Sequence, residues 1–153
     1  MQTPLQILKT FADQTLRTVV GLFYVPPQIA SLSIEQLSEL KLTFDLGSLV
    51  FRCASDGESI MIEKKTLAPV DLGEFGELRT VNLNSTPPLA PLINGKLQTI
   101  HPVMSSNDQI PIGVKLTFST GYIVICNWGD NLKIWDHVPE KLFKDDGIQV
   151  TSM

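Results

Sequence analysis

The sequence predicts an α+β fold, in which two three-stranded antiparallel β-meanders related by pseudo-symmetry form one sheet or a half-open barrel, with an N-terminal helix packed on them. The first observation behind this prediction is an internal repeat. Residues 40–63 align without a gap with residues 114–137, and eight of the aligned pairs are identical, among them the run Lys-Leu-Thr-Phe. The second is that apolar and polar residues alternate through three short runs in each copy, as in strands that bury one face.

The chain begins with a predicted amphipathic helix over residues 4–18. Thr3 followed by Pro4 is a favourable helix start, because proline is well tolerated at the first helical position. The apolar residues that then recur at helical spacing are Leu5, Leu8, Phe11, Ala12, Leu16 and Val19. This spacing predicts a helix with one apolar face, which would pack on a sheet.

Residues 19–25 predict a strand that follows this helix. They are rich in β-branched and aromatic side chains, and the strand ends at Pro26-Pro27 because proline lacks a backbone donor. Ser33, with Gln36 three positions on, predicts a capping box for a single helical turn.

Each copy of the repeat contains a two-residue turn that we place at Leu46-Gly47 in the first copy and at Thr120-Gly121 in the second. A longer loop then precedes the third strand of each copy. The pairs predicted in this way are Phe44 with Leu49 and Phe51 with Ile60 in the first copy, and Phe118 with Ile123 and Ile125 with Ile134 in the second. All of them keep the apolar side chains on one face, as a period of two requires.

The remaining segments are a connection and a C-terminal extension. Residues 64–111 contain most of the prolines and predict a loop-rich connection, with further strands at 78–83 and 97–103. After the second copy, residues 139–144 predict a short helix that ends near Gly147.

Length and charge narrow the classes of function. A chain of 153 residues suits one domain, so we expect a single domain over residues 1–153. Lys and Arg number 12 against 16 Asp and Glu, and the net charge is −4. Because nucleic-acid binding depends on basic residues that contact phosphates, this balance argues against a nucleic-acid-binding protein.

The cysteines and the N-terminus predict a cytoplasmic protein. Cys53 and Cys126 fall on opposite faces of the predicted strands, so we expect two free thiols. The first residues lack the features of a secretory signal, and the longest apolar run is too short to span a bilayer. Free thiols and no export signal together indicate a reducing compartment.

The outer faces of the two copies differ. The first copy carries mostly polar residues there, whereas the second places Tyr122, Cys126, Trp135 and His137 at four of the equivalent positions. The predicted register puts Trp135 opposite Val124 and His137 opposite Tyr122. Such a face could be a partner or ligand surface with aromatic anchors. The alternative is that the N-terminal helix covers it.

The loop over residues 127–131 is a second candidate site. It combines Trp128 with the carboxylate of Asp130 and two amides, a composition suited to a sugar, a peptide or a cation. The alternative is turn chemistry, because Asp residues often cap their own backbone in turns and Asp56 holds the aligned position in the first copy.

Catalytic and metal-binding patterns are poor. The sequence has two histidines, and it lacks the motifs of serine hydrolases, zinc proteases, thiol oxidoreductases and phosphate-binding loops. A dyad of Cys126 with His137 is conceivable, but the register pairs Cys126 with Lys133. We therefore predict no catalytic residues, no metal site and no cofactor.

A segment of the second copy resembles known proteins. Residues 121–130, followed by Leu132-x-Ile134 and Pro139-Glu140-x-Leu142, resemble the C-terminal pattern of small uncharacterised bacterial proteins, some of them immunity-like. The resemblance covers about 30 residues and carries no residue roles. It implies a stand-alone inhibitor that binds a toxin.

The predicted function is a non-enzymatic protein-binding module, an immunity-type inhibitor whose protein partner is basic. The candidate contact residues are Tyr122, Trp128, Asp130, Trp135 and His137. One alternative is a small-molecule-binding protein or enzyme with a pocket between the second meander and the Pro-rich connection. Another is a self-associating structural unit.

Overall fold

Two antiparallel β-sheets make up most of the computed structural model, which describes residues 2–28, 32–106 and 110–151. Within these ranges the strands are β1 Leu16–Val25, β2 Leu37–Phe44, β3 Gly47–Cys53, β4 Ile60–Glu63, β5 Val70–Asp71, β6 Glu77–Asn82, β7 Leu97–Ser105, β8 Gly113–Phe118, β9 Gly121–Trp128, β10 Asn131–Trp135 and β11 Ile148–Val150. The α-helices described are α1 Pro4–Lys9 and α2 Glu140–Asp145, and 3-10 turns occupy Ile34–Gln36, Gly73–Phe75 and Ala90–Leu92. No helix in the described part of the chain is long and apolar enough to cross a membrane.

The strand order separates the two copies of the repeat. The first sheet has the order β4-β3-β2-β1-β6-β5, and the second has the order β10-β9-β8-β7-β11. Each copy lies in its own sheet. The strand that precedes each copy in the chain, β1 or β7, pairs with the first strand of that copy, so β1–β4 and β7–β10 are runs of neighbouring strands. The expectation of one sheet or a half-open barrel is therefore corrected to two sheets.

The main core lies between the two sheets. Leu42 and Phe51 of the first sheet share one buried cluster with Leu116 and Ile125 of the second. Each such side chain contributes about 1.5–3 kcal/mol by leaving water. The inward positions of the alternating pattern thus pack against each other across the two sheets.

Each predicted turn lies one residue too far along the chain, which shifts the strand pairing by two residues. Phe44 pairs with Gly47 and Phe118 with Gly121, rather than with Leu49 and Ile123. The glycines follow the turns instead of lying within them, and their φ angles of 155° and 152° are ones that glycine adopts readily. A shift of two residues leaves every side chain on its predicted face.

The loops before the third strands differ between the copies. Phe51 pairs with Ile62 and not with Ile60, because the loop over residues 54–59 is longer than predicted. In the second copy, the predicted pair of Ile125 with Ile134 is confirmed.

The N-terminal helix is shorter than predicted. Its start is confirmed, since the backbone N–H of Gln6 donates to Thr3 Oγ1 at 3.2 Å and completes a capping box. It ends at Lys9, whereas Leu16 and Val19 belong to β1. A β-bulge after Leu16 adds one residue to the strand, so that Leu16 and Val19 both face the core although they are three apart. The bulge produced the helical spacing that misled the prediction.

The other predicted elements are confirmed. Residues 78–83 and 97–103 correspond to β6 and β7, residues 139–144 correspond to α2, and the capping box of Ser33 and Gln36 is present. Both cysteines are free, Cys53 against the main core and Cys126 on the opposite face of the second sheet.

The N-terminal helix does not cover the outer face of the second copy. Leu8 and Phe11 enter the main core, where the Phe11 ring centroid lies 5.2 Å from that of Phe44. That outer face is instead covered by α2 through Phe143, and the half-buried Ile148 of β11, the edge strand of the same sheet, packs against the same cluster. The alternative that the N-terminal helix covers this face is therefore wrong, because α2 occupies it.

Candidate functional site

Three aromatic rings hold α2 against the second sheet. The Phe143 side chain is 2% exposed, and its ring lies 5.7 Å from that of Trp128 in a stacked arrangement and 5.8 Å from that of Trp135 in an edge contact. Trp128 and Trp135 are themselves 5.7 Å apart. Both tryptophans therefore have a packing role, which accounts for two of the aromatic residues that only the second copy contains.

Two more of the predicted contact residues have other partners, although the half-buried Tyr122 packs against the same cluster as Phe143. The Tyr122 ring receives a cation–π contact from Lys115, whose Nζ is 4.6 Å from its centroid. His137 follows the end of β10 and is not paired with Tyr122, because the ladder ends at Trp135. Its Nδ1 lies 2.8 Å from Asp136 Oδ1, a hydrogen bond that lowers the pKa of the Asp136 carboxyl.

The conceivable thiol dyad has no support in the geometry. Cys126 pairs with Lys133, as predicted. Burial raises the pKa of the Cys126 thiol and so disfavours the thiolate that nucleophilic chemistry requires. Among the residues that the structure describes, no three His, Cys, Asp or Glu side chains are grouped in a way that could hold a metal ion.

Trp128 and Asn131 flank a tight turn at the end of the second sheet, and Asp130 lies within it. Gly129 and Asp130 have φ angles of 60° and 66°, as in a type I′ hairpin turn. The backbone N–H of Asp130 donates to Asn127 Oδ1 at 2.9 Å, and the Asp130 side chain is exposed. We call residues 128–131 the Trp128 turn.

The aspartates that align in the two copies have different surroundings. Asp56 Oδ1 accepts the backbone N–H groups of Glu58 and Ser59, each at 2.8 Å, and its Oδ2 accepts the Ser59 hydroxyl at 2.6 Å. The bonds from Ser59 are the main reason that the pKa of Asp56 is lowered. Asp56 thus caps its own loop, as turn chemistry predicted, whereas Asp130 occupies a shorter turn.

An open cleft of about 450 Å³ lies on one side of the Trp128 turn. Its lining comes from both sheets and from the end of α2: Gly57, Glu58, Ser105, Ile112, Asn127, Trp128, Gly129, Asp146 and Ile148. Trp128 is half-buried there, and the carboxylates of Glu58 and Asp146 are exposed. We call this the Trp128 cleft.

A second cleft, of about 470 Å³, lies on the other side of the turn and includes Glu35, Glu39 and Asp130. Cys53 also lines it, and burial together with the nearby charge of Asp130 raises the pKa of this thiol to about 11. Arg52 also lines this cleft, and its Nε donates to Glu63 at 2.6 Å. We call this the Glu39 cleft, and its charge is mainly negative.

Asn127 fixes the Trp128 turn to the first sheet. Its side chain is 3% exposed, and its Nδ2 donates to the carbonyl oxygen of Ser59 at 3.0 Å. Its backbone N–H donates to the carbonyl oxygen of Ile112 at 2.8 Å. These bonds hold Trp128 at a defined position relative to the loop that carries Glu58.

Sequence reasoning identified only part of this arrangement. It selected the loop over residues 127–131, with Trp128 and Asp130 as contact residues and Asn127 as one of its amides, but it assigned no contact to Glu58 or Asp146. Glu58 and Asp146 gave no signal, because only the fold brings their segments together. Asn127 did give a sequence signal, because its amide side chain directly continues an apolar strand.

The chain was also compared with known proteins. No protein-family model matches it, and neither a curated protein nor a solved structure is significantly similar to it.

Proposed function

We propose that the protein is a non-enzymatic binding module for a basic protein partner, with the Trp128 turn and its two clefts as the contact surface. The observation that carries this proposal is the Trp128 cleft, whose lining combines an indole with the exposed carboxylates of Glu58 and Asp146. A tryptophan face attracts cations, and carboxylates form charge-assisted hydrogen bonds with arginine or lysine. An Arg or Lys side chain of the partner is the anchor that fits this cleft.

The charge around the turn supports a basic partner. The Glu39 cleft adds the carboxylates of Glu35, Glu39 and Asp130. Lys65 Nζ donates to Glu39 Oε2 at 3.1 Å, so the positive charge of this nearby lysine is already paired within the protein. A concentration of negative charge accelerates association with a positively charged protein and disfavours acidic ones.

The rigidity of the turn supports a role in recognition. The bonds of Asn127 and the stacking of Trp128 on Phe143 hold the turn before any partner arrives. Binding through side chains that are already ordered loses less conformational entropy. A buried aromatic anchor with a polar rim is also typical of interface hot spots.

The partner class that we propose is a toxin, which the protein would inhibit in the cytoplasm as an immunity-type protein. The resemblance of residues 121–142 to immunity-like bacterial proteins supports this class. We also propose that the two sheets are pseudo-symmetric copies of one duplicated unit. The equivalent turns and the bulges that follow Leu16 and Leu97 support the duplication.

The product of the neighbouring gene is the partner to test first. We expect calorimetry to show binding to the wild type, with a loss of about 2 kcal/mol or more in folded Trp128→Ala, as for an interface hot spot. The double substitution Glu58→Gln with Asp146→Asn should lower the affinity without disturbing the packing on Phe143. Glu140→Gln, an exposed carboxylate of α2 outside both clefts, is the matched control. Full affinity in both cleft variants would contradict the proposal.

A small-molecule ligand is the second candidate, because the volume of the Trp128 cleft lies within the range of ligand sites. The cleft includes Ser105, at the end of the connection, as that alternative requires. A metabolite at 100 times its dissociation constant would add about 2.7 kcal/mol of stability, and about 5–10 °C in a thermal-shift screen. A saturable shift that is lost in Trp128→Ala would favour this candidate.

A further inference from the structure

The most exposed aromatic ring of the first sheet lies on its edge hairpin. This hairpin consists of β5, the 3-10 turn Gly73–Phe75 and β6. The Phe75 side chain is 68% exposed, and Tyr24, Val70 and Leu72 beside it are also exposed. Single exposed apolar residues need no explanation, but a contiguous group indicates an interaction surface.

The strand register shows that these residues are contiguous. Leu78 pairs with Val70 on one side and with Tyr24 on the other, so the three side chains stand in a row on one face of the sheet. The hydroxyl of Tyr24 donates to the carbonyl oxygen of Phe75 at 2.7 Å. We call Tyr24, Val70, Leu72, Phe75 and Leu78 the Phe75 patch.

Hydrogen bonds keep the patch in place. The backbone N–H of Leu72 donates to the carbonyl oxygen of Gly76 at 2.9 Å, and that of Gly73 donates to Asp71 Oδ1 at 2.8 Å. The exposure of Phe75 is thus a property of an ordered turn.

The charges around the patch select its occupant. Glu74 lies in the turn that carries Phe75, and Glu35 and Glu39 line the Glu39 cleft together with Tyr24 of the patch. Asp71 and Glu77 pair with each other on the opposite face of the hairpin, and Arg79 is the one cation of residues 70–82. Arg79 already forms an ion pair with Glu77. A second copy of the chain would bring carboxylates against carboxylates, because a two-fold interface places the same surface on both sides. Nucleic acids and anionic membranes would meet the same repulsion.

We propose that the Phe75 patch docks a basic segment of a partner protein, in which an apolar side chain flanked by lysines or arginines packs on Phe75. Tyr24 of the patch also belongs to the lining of the Glu39 cleft. The patch is therefore continuous with the proposed contact surface. The inference rests on the proposed function for the positive charge of the partner. It adds a second, apolar contact to the contact surface proposed around the Trp128 turn.

Amide NMR spectra of the labelled full chain test this proposal with two nine-residue peptides. One carries a central phenylalanine flanked by lysines, and in the other glutamates replace the lysines. We expect the lysine peptide to shift the Leu72 and Phe75 signals with millimolar saturation and the glutamate peptide to leave them unchanged. Phe75→Ser and Glu74→Gln should each weaken binding several-fold, whereas Leu46→Ser, at an exposed apolar residue of another turn, should not.

The spectra separate this inference from the proposed function. Shifts confined to Trp128 and Gly129 would overturn docking at Phe75 and leave the proposed function standing. Shifts at Phe75 that persist in Trp128→Ala would support docking even if the Trp128 cleft proved inactive. Three results would overturn the inference. The first is equal binding of both peptides, and the second is no shift of the Phe75 signal at 5 mM peptide. The third is a dimer, seen by light scattering, that Phe75→Ser disrupts.

Discussion

Phe143 is the residue on which the docking of α2 depends. It is the buried residue of that helix, and its ring contacts both tryptophans. Truncation of a buried phenylalanine to alanine costs about 3–5 kcal/mol, and loss of the two ring contacts belongs within that range. Because α2 is short and lies at the surface, we expect Phe143→Ala to release α2 and β11 while the main core stays folded.

Hydrogen exchange and fluorescence measure this effect. A loss of about 3 kcal/mol corresponds to roughly a hundredfold lower protection of the amides of β11. Tryptophan emission should move to longer wavelength, since both indoles become hydrated. Leu142→Ala is the matched control, because Leu142 precedes Phe143 in the same helix and is 46% exposed. Equal effects of the two substitutions, or unchanged emission in Phe143→Ala, would refute this account of the outer face.

Three further predictions concern the core, acid stability and thiol reactivity. Asn127→Ala should lower the free energy of unfolding by about 2–3 kcal/mol in urea titrations, because it leaves the carbonyl oxygen of Ser59 and the backbone N–H of Asp130 without their partner. The control Asn131→Ala, at an exposed residue, should cost under about 0.5 kcal/mol. Since the folded-state pKa of Asp56 is lowered, its charged form stabilises the fold above the unfolded pKa, and this contribution disappears as the pH falls through the folded value. Asp56→Asn should therefore unfold with a weaker dependence on pH below about 4, and an unchanged slope would count against the role of the Ser59 bonds. Native Cys126 should resist a thiol reagent at pH 8 while half-buried Cys53 reacts slowly, and faster modification of Cys126 would show that its side of the sheet opens.

The N-terminal region shows how local geometry can imitate another period. Leu16 and Val19 are three residues apart, which is typical of a helix, yet a bulge gives a strand the same spacing on its buried face. The position of a bulge depends on the pairing with β2, which a single sequence does not reveal. By contrast, the capped start at Thr3 depends on neighbouring residues alone and was predicted correctly.

Side-chain faces were more predictable than exact pairs. The alternation of apolar residues assigned Leu42 and Leu116 to the core correctly, because that assignment depends only on odd and even positions. The turn positions were wrong by one residue and the pairing by two, since Gly47 and Gly121 follow their turns. Separation into two sheets depends on long-range packing, and no local pattern encodes it.

The candidate site was predictable only where one segment supplies it. Trp128 and Asp130 are close in sequence and form a recognisable turn. The carboxylates of Glu58 and Asp146 come from segments on either side of the second copy, and their proximity follows from the packing of the two sheets and α2. The same packing explains why Trp135, predicted as a contact residue, lies against Phe143.

The most direct test of the central claim is an NMR titration of the Trp128 indole N–H signal with the tripeptide Gly-Arg-Gly, and with its neutral analogue in which citrulline replaces arginine. We expect the arginine peptide alone to shift this signal, and we expect the shift to disappear at high salt and in the double variant Glu58→Gln with Asp146→Asn. If citrulline shifts the signal equally, or if the double variant responds as the wild type does, the Trp128 cleft does not recognise a cationic side chain.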